Sequence, residues 1–107
     1  MNFRAAKYSA PLVVQADHPA LPGHFPGSPV VPGVLILDRV VEALEAATCH
    51  PVRLRRLSHV KFLAPLFPGQ VAKISIEASG NVLAFAVHRS DQPIARGAFE
   101  LEDYERP

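Results

Sequence analysis

Three residues in one short stretch have the types and spacing for chemistry on a carbonyl compound. His24 opens the stretch, Gly33 follows nine residues later, and Asp38 closes it fourteen residues after the histidine. An imidazole takes and returns a proton near neutral pH, so His24 suits general-base work. The plain alternative is a loop histidine packed for structural reasons, which is how His18, His50, His59 and His88 are read. His24 differs from those four in having Pro and Gly on both sides, which hold its backbone. Asp38 is surrounded in sequence by Val34, Leu35, Leu37 and Val41. Such neighbours favour a neutral carboxyl group, which can donate a proton. The alternative is an Asp that reaches solvent, or pairs with Arg39 or a strand arginine. Gly33 stands at a helix start, where backbone N–H groups lack partners and the dipole favours negative charge. With no side chain, it lets a substrate oxygen approach an N–H closely; helix-start geometry alone is the other explanation. A base, an acid and an oxyanion donor in one small volume suit proton removal next to a carbonyl, followed by loss of a β-hydroxyl.

The elements that must hold these groups follow from composition. Residues 23–32 are crowded with Gly and Pro. Pro26, Pro29 and Pro32 each fix φ and disfavour the helical region for the preceding residue. From Gly33 onward nothing resists a helix, which is expected from residue 32 or 33 to 47. Val34, Leu37, Val40, Val41 and Leu44 keep the spacing of a buried stripe. Leu35 and Ile36 make the first two turns apolar nearly all round, so the rest of the chain should wrap them. Pro51 is the stop signal. A first strand is expected at 11–16 and a long alternating one at 52–62, with a bulge at Arg55 and Arg56. Further strands are expected at 71–78, 82–89 and 94–102, with turns at 65–70, 79–81 and 90–93. Four sequential strands joined as hairpins by short turns imply an antiparallel sheet. The fold class is α+β, a curved antiparallel sheet wrapped around one long central apolar helix.

Bulk properties narrow the function classes. The 107 residues are 49% hydrophobic and 20% charged, with a formal net charge of +1. One globular domain over 1–107 is expected, with no pull toward nucleic acid or a membrane surface. No apolar run reaches the roughly 20 residues of a spanning helix. The first residues show no signal-peptide pattern. The single cysteine, Cys49, excludes an internal disulfide, reads as a buried structural thiol and fits a reducing, cytoplasmic setting. His18, His24 and Cys49 have no recognised metal-ligand spacing, and no glycine-rich nucleotide motif is present, so no metal or cofactor is expected.

The stretch from His24 to Asp38 (His-Phe-Pro-Gly-Ser-Pro-Val-Val-Pro-Gly-Val-Leu-Ile-Leu-Asp) closely resembles the signature of the FabA/FabZ-type 3-hydroxyacyl-[acyl-carrier-protein] dehydratases, which have the hotdog fold. Residues 61–70 (Lys-Phe-Leu-Ala-Pro-Leu-Phe-Pro-Gly-Gln) resemble that family's strand and turn after the helix. The resemblance spans roughly residues 12–101. It implies that His24 removes the C2 proton and that Asp38 helps the 3-hydroxyl leave as water. It also implies that the Gly33 N–H binds the thioester carbonyl. A homodimer or higher assembly is implied, with His24 of one subunit facing Asp38 of the other, and a His24–Phe25 peptide that is often cis. The implied partner is an acyl carrier protein presenting the substrate on phosphopantetheine. Because that carrier is acidic, Arg53, Arg55, Arg56, Lys61, Arg89 and Arg96 are candidates for a docking patch. Ser28 stands where His or Asp is common and Glu42 where Gln is usual. The acid is Asp, as in the isomerase-capable branch, while the surrounding motif is closer to the Glu-bearing branch. The short chain is more like the compact dehydratases of aryl-polyene and related pigment pathways. A hotdog acyl thioesterase, or a non-catalytic hotdog subunit that binds acyl chains, are the alternatives.

Overall fold

Helix α1, Gly33–Thr48, starts where the prolines stop. Pro32 precedes it in extended conformation, φ −60 and ψ 142. Its carbonyl accepts the N–H groups of Leu35 and Ile36 at 3.0 and 3.3 Å. The helix ends on Cys49 in the left-handed region, φ 52, whose N–H donates to the Glu45 carbonyl. In the computed structural model, residues 3–19, 21 and 30–102 are described.

The buried stripe of α1 is Ile36, Val40 and Leu44. Val34, expected to be part of it, is 68% exposed. The rows at 36, 40, 44 and at 34, 38, 42 lie on opposite sides of a helix. The sheet covers only the first, with Leu35, Leu37 and Val41 packing at its margins.

Five strands form one antiparallel sheet: β1 Phe3–Leu12, β2 Leu54–Phe62, β3 Ala72–Gly80, β4 Val82–Arg89 and β5 Gln92–Leu101. The order is β1-β3-β4-β5-β2, so β1 and β2 are the edges. Inward residues alternate as a half-buried sheet requires: Ile74 and Ile76 on β3, Leu83, Phe85 and Val87 on β4, Phe99 and Leu101 on β5. Phe85 and Phe99 stack with ring centroids 5.4 Å apart. Each large side chain so buried contributes roughly 1.5–3 kcal/mol. The architecture is the α+β hotdog arrangement expected from the motif.

Three local expectations need correction. The first strand is Phe3–Leu12, not 11–16. Ala5 and Ala6 carry little intrinsic β preference, and the strand exists through its ladder to β3, from Ala6 opposite Ala78 to Leu12 opposite Ala72. Pro11 is tolerated because β1 is an edge. The last strand begins two residues early, with Pro93 opposite His88. Finally, β2 does not continue into a hairpin with β3. It pairs with β5 at the far edge, and residues 63–71 carry the chain back across. That crossing is anchored by N–H groups of Leu63 and Ala64 on the Ile94 carbonyl, of Val31 on Leu66 and of Gly69 on Val14. The bulge expected at Arg55 is present as a register shift between Leu54 and Arg56. A second shift falls between Leu57 and His59. There the His59 carbonyl and Val60 Cα press on Gly97 of β5, leaving no space for a side chain.

Candidate active site

The start of α1 opens into a cleft of about 450 Å³. Residues 30–33 and Ile36 form one wall, and residues 62–66 the other. Among the described residues, none that line it carries a charge or a polar side chain. The two walls are tied by the 2.8 Å hydrogen bond from Val31 N–H to the Leu66 carbonyl. The first turn of α1 has no acidic side chain and no side-chain cap. Among the described residues, the N–H groups of Gly33 and Val34 have no acceptor. An apolar cleft that reaches the Gly33 N–H, at the positive end of a helix, suits an apolar molecule with one oxygen that gains charge.

Gly33 is packed as well as placed. A Cβ built on it lies 2.5 Å from Phe62 Cζ and 3.0 Å from both Phe62 Cε atoms. The tip of the ring occupies the space of a side chain at this position. Phe62 is the last residue of β2, opposite Ala95 on β5. The seat of its ring on Gly33 was not legible in the sequence, because the two are distant in it. Of the other phenylalanines, Phe85 and Phe99 belong to the core and Phe67 is 41% exposed.

Asp38 lies five residues beyond Gly33 on the same helix, about 7.5 Å along the axis. It shares a face with Val34 and Glu42 and is exposed, which corrects the expectation of a carboxyl group enclosed by apolar neighbours. That face points away from the chain's own sheet. Arg39 pairs with Glu42, Nε to Oε2 at 3.8 Å. Among the described residues no ion pair engages Asp38. Gly33 and Asp38 are thus brought onto one helix. His24, with Phe25 and the peptide between them, lies outside the described residues, as does Ser28. Cys49 is exposed rather than buried, because the helix end turns it outward. Among the described residues no three His, Cys, Asp or Glu side chains cluster as a metal-binding group.

The basic candidates divide. Arg55 and Arg56 both engage Glu100, at 3.7 and 2.8 Å. Lys61 and Arg96 face one another across β2 and β5, both exposed. Neither has an ion-pair partner among the described residues. Arg89 is half-buried, and its Nε has no hydrogen-bond partner among them.

Along the outer edge, β2 is exposed over nearly its whole length. Leu54, Leu57 and Phe62 are 41%, 41% and 49% exposed. Helix α1 lies mainly over β1 and β3, so Leu54 and Leu57 of β2 are left uncovered. No helix among the described residues is long and apolar enough to cross a membrane.

Comparison with known proteins agrees with this architecture. A family model described as ApeI dehydratase, ApeI-like, matches residues 2–98. Among curated relatives, a 3-hydroxyacyl-[acyl-carrier-protein] dehydratase FabZ of Wolbachia sp. subsp. Drosophila simulans is 32% identical over 85 residues, 71% of this chain and 57% of that protein. The FabZ of Geobacter metallireducens is 33% identical over 76 residues, 63% of this chain and 51% of the relative. The chain thus spans about half the length of the curated relatives it matches. Among solved structures, the dehydratase heterocomplex ApeI:P from Xenorhabdus doucetiae superposes with a TM-score of 0.78 at 22% identity, covering 96% of this chain and 97% of that one. A mutant of the fluoroacetyl-CoA-specific thioesterase FlK, bound to fluoroacetate and CoA, superposes at 0.68 with 16% identity, covering 92% of each chain. These likenesses establish a shared fold. Reactions as different as dehydration and thioester hydrolysis occur on it, so the site must argue the chemistry.

Proposed function

The chain belongs to the ApeI-like dehydratase family, and from that premise we propose that it dehydrates a 3-hydroxyacyl thioester, carried by acyl carrier protein, to the trans-2-enoyl thioester. The observation that carries the reading is the Gly33 N–H, which has no acceptor among the described residues, at the end of an apolar cleft and on the helix that bears Asp38.

The acyl chain lies in the cleft and its thioester carbonyl accepts the Gly33 N–H. Negative charge that builds on this oxygen is stabilised by the N–H and by the helix start. His24 takes the C2 proton, the C2–C3 double bond forms, and the C3–O bond breaks. Asp38 gives its proton to the departing oxygen, which leaves as water. Proton exchange between the protonated imidazole and the carboxylate restores both groups. No cofactor enters this sequence.

Asp38 is exposed on a face that its own chain leaves open. A second copy pairing along β2 would cover Leu54, Leu57 and Phe62 and offer its His24 to this Asp38. An open edge strand with Leu54, Leu57 and Phe62 exposed supports such pairing. The relatives' name specifies an acyl carrier protein, and Lys61 and Arg96, which have no ion-pair partner among the described residues, support an acidic partner. One cysteine, free and exposed, suits a reducing cytoplasm.

Purified protein incubated with 3-hydroxyacyl carrier-protein thioesters should yield enoyl thioester and water, and His24→Ala should abolish this. Release of a free carrier thiol without enoyl product would replace the reading with thioester hydrolysis. Full activity of His24→Ala would remove the histidine from it.

A further inference from the structure

We propose that Phe62 is a specificity-determining residue, its ring forming the wall that limits how much bulk the acyl group carries at the carbon next to the thioester carbonyl. The inference rests on the reading above, in which that carbonyl is held by the Gly33 N–H. Its own evidence is the seat of the ring. The tip of Phe62 takes the place of a side chain on Gly33, with Cζ 2.5 Å and both Cε atoms 3.0 Å from where a Cβ would be.

A side chain packed this tightly at its tip is normally enclosed by its own protein. Phe62 is 49% exposed, and the ring also lines the cleft. One part of the ring is therefore clamped against the helix start while another faces the space open to an acyl chain. A carbonyl oxygen bonded to the Gly33 N–H sits about 3 Å from that nitrogen. The substrate's C2 carbon then lies beside the ring. The ring cannot retreat toward the helix, since the Gly33 backbone stops it. Its base is fixed by the β2 ladder at Ala95. An unsubstituted C2 methylene passes such a wall, and a methyl branch at C2 meets it. Among the described residues no other aromatic side chain lines this cleft, so of these the exclusion falls on Phe62.

The test compares 3-hydroxyacyl carrier-protein thioesters that differ only by a methyl group at C2. Wild-type protein, Phe62→Leu and Phe62→Ala are assayed for kcat/KM, with circular dichroism and Tm to verify folding. Wild type is expected to prefer the unbranched substrate by about tenfold or more, the worth of one methylene at a tight wall. Both variants should lose most of that preference, chiefly through faster turnover of the branched substrate. Phe62→Leu keeps apolar packing and decides the question if Phe62→Ala does not fold. An unchanged preference in a folded, active variant overturns the role of Phe62 and leaves the dehydratase reading intact. A wild-type enzyme inactive on both substrates overturns the dehydratase reading and this inference together.

Discussion

The ring of Phe62 ends where a side chain on Gly33 would begin, 2.5 Å from that position, so two residues on different elements share one volume. The ring requires a glycine there, and under the proposed mechanism the approach of a substrate oxygen to its N–H requires one too. Gly33→Ala should therefore both misplace the ring and reduce turnover. Overpacking of this kind costs roughly 1–3 kcal/mol. The double variant Gly33→Ala/Phe62→Ala should recover part of that stability in urea melts, giving a favourable coupling energy. Strictly additive losses would separate the two residues.

Gly97 gives a harder case. Its neighbours are the His59 carbonyl and Val60 Cα, which are backbone and cannot rotate away. Gly97→Ala should destabilise by about 2 kcal/mol or more, at the upper part of the range for overpacking. It should also shift β2 relative to β5. Loss of stability on urea unfolding, with slowed turnover in the folded fraction, is the expected result. A variant as stable as wild type would show that β2 adjusts freely.

Asp38 is exposed and has no ion pair among the described residues, so its removal should leave the fold intact. Asp38→Asn is expected to change unfolding free energy by less than about 0.5 kcal/mol. Loss of a proton donor should lower kcat by about 10²–10⁴-fold. A kcat within a few-fold of wild type would assign the proton to another group.

The open edge of β2 predicts a dependence of activity on assembly. Leu57 is 41% exposed on the inner face of that strand, opposite Phe99. Leu57→Glu should shift the protein toward monomer in light scattering. Turnover should fall with the dimer fraction and rise again with protein concentration. Activity that stays constant in a monomeric variant would place a complete site within one chain.

Lys61 and Arg96 face each other without an acidic neighbour among the described residues, an arrangement that is mildly unfavourable in a sheet. Charge reversal at both should raise KM for carrier-protein thioesters and flatten its salt dependence. KM for a small pantetheine thioester should not move. An equal effect on both substrates would locate the carrier elsewhere.

Much of this architecture is visible in local sequence. The change from proline-rich loop to apolar helix at Gly33, the alternation of β3 and β4, the Arg55 bulge and the glycine hairpin at Gly80 are all near-neighbour effects. They follow from φ restrictions and side-chain period. The same stretch places Gly33 at a helix start and Asp38 on the same helix. β1 was misread because its alanines and Pro11 carry almost no strand signal. Its ladder to β3 comes from residues some seventy positions away. The hairpin expected between β2 and β3 failed for a related reason, since a short connection does not reveal which strand its neighbour will pair with.

What the sequence determined by itself is the chemistry on offer: a histidine, a glycine N–H and an aspartate at spacings that a stiff loop and a helix would present together. Tertiary structure alone decided which helix face is buried, so that Ile36 turns inward and Asp38 outward. It also decided that Phe62 ends on Gly33. Helix periodicity defines opposite faces but does not say which one the sheet will cover. That choice depends on where α1 lies over the strands. Here it lies nearest β1 and β3, leaving the β2 side and the Asp38 face open.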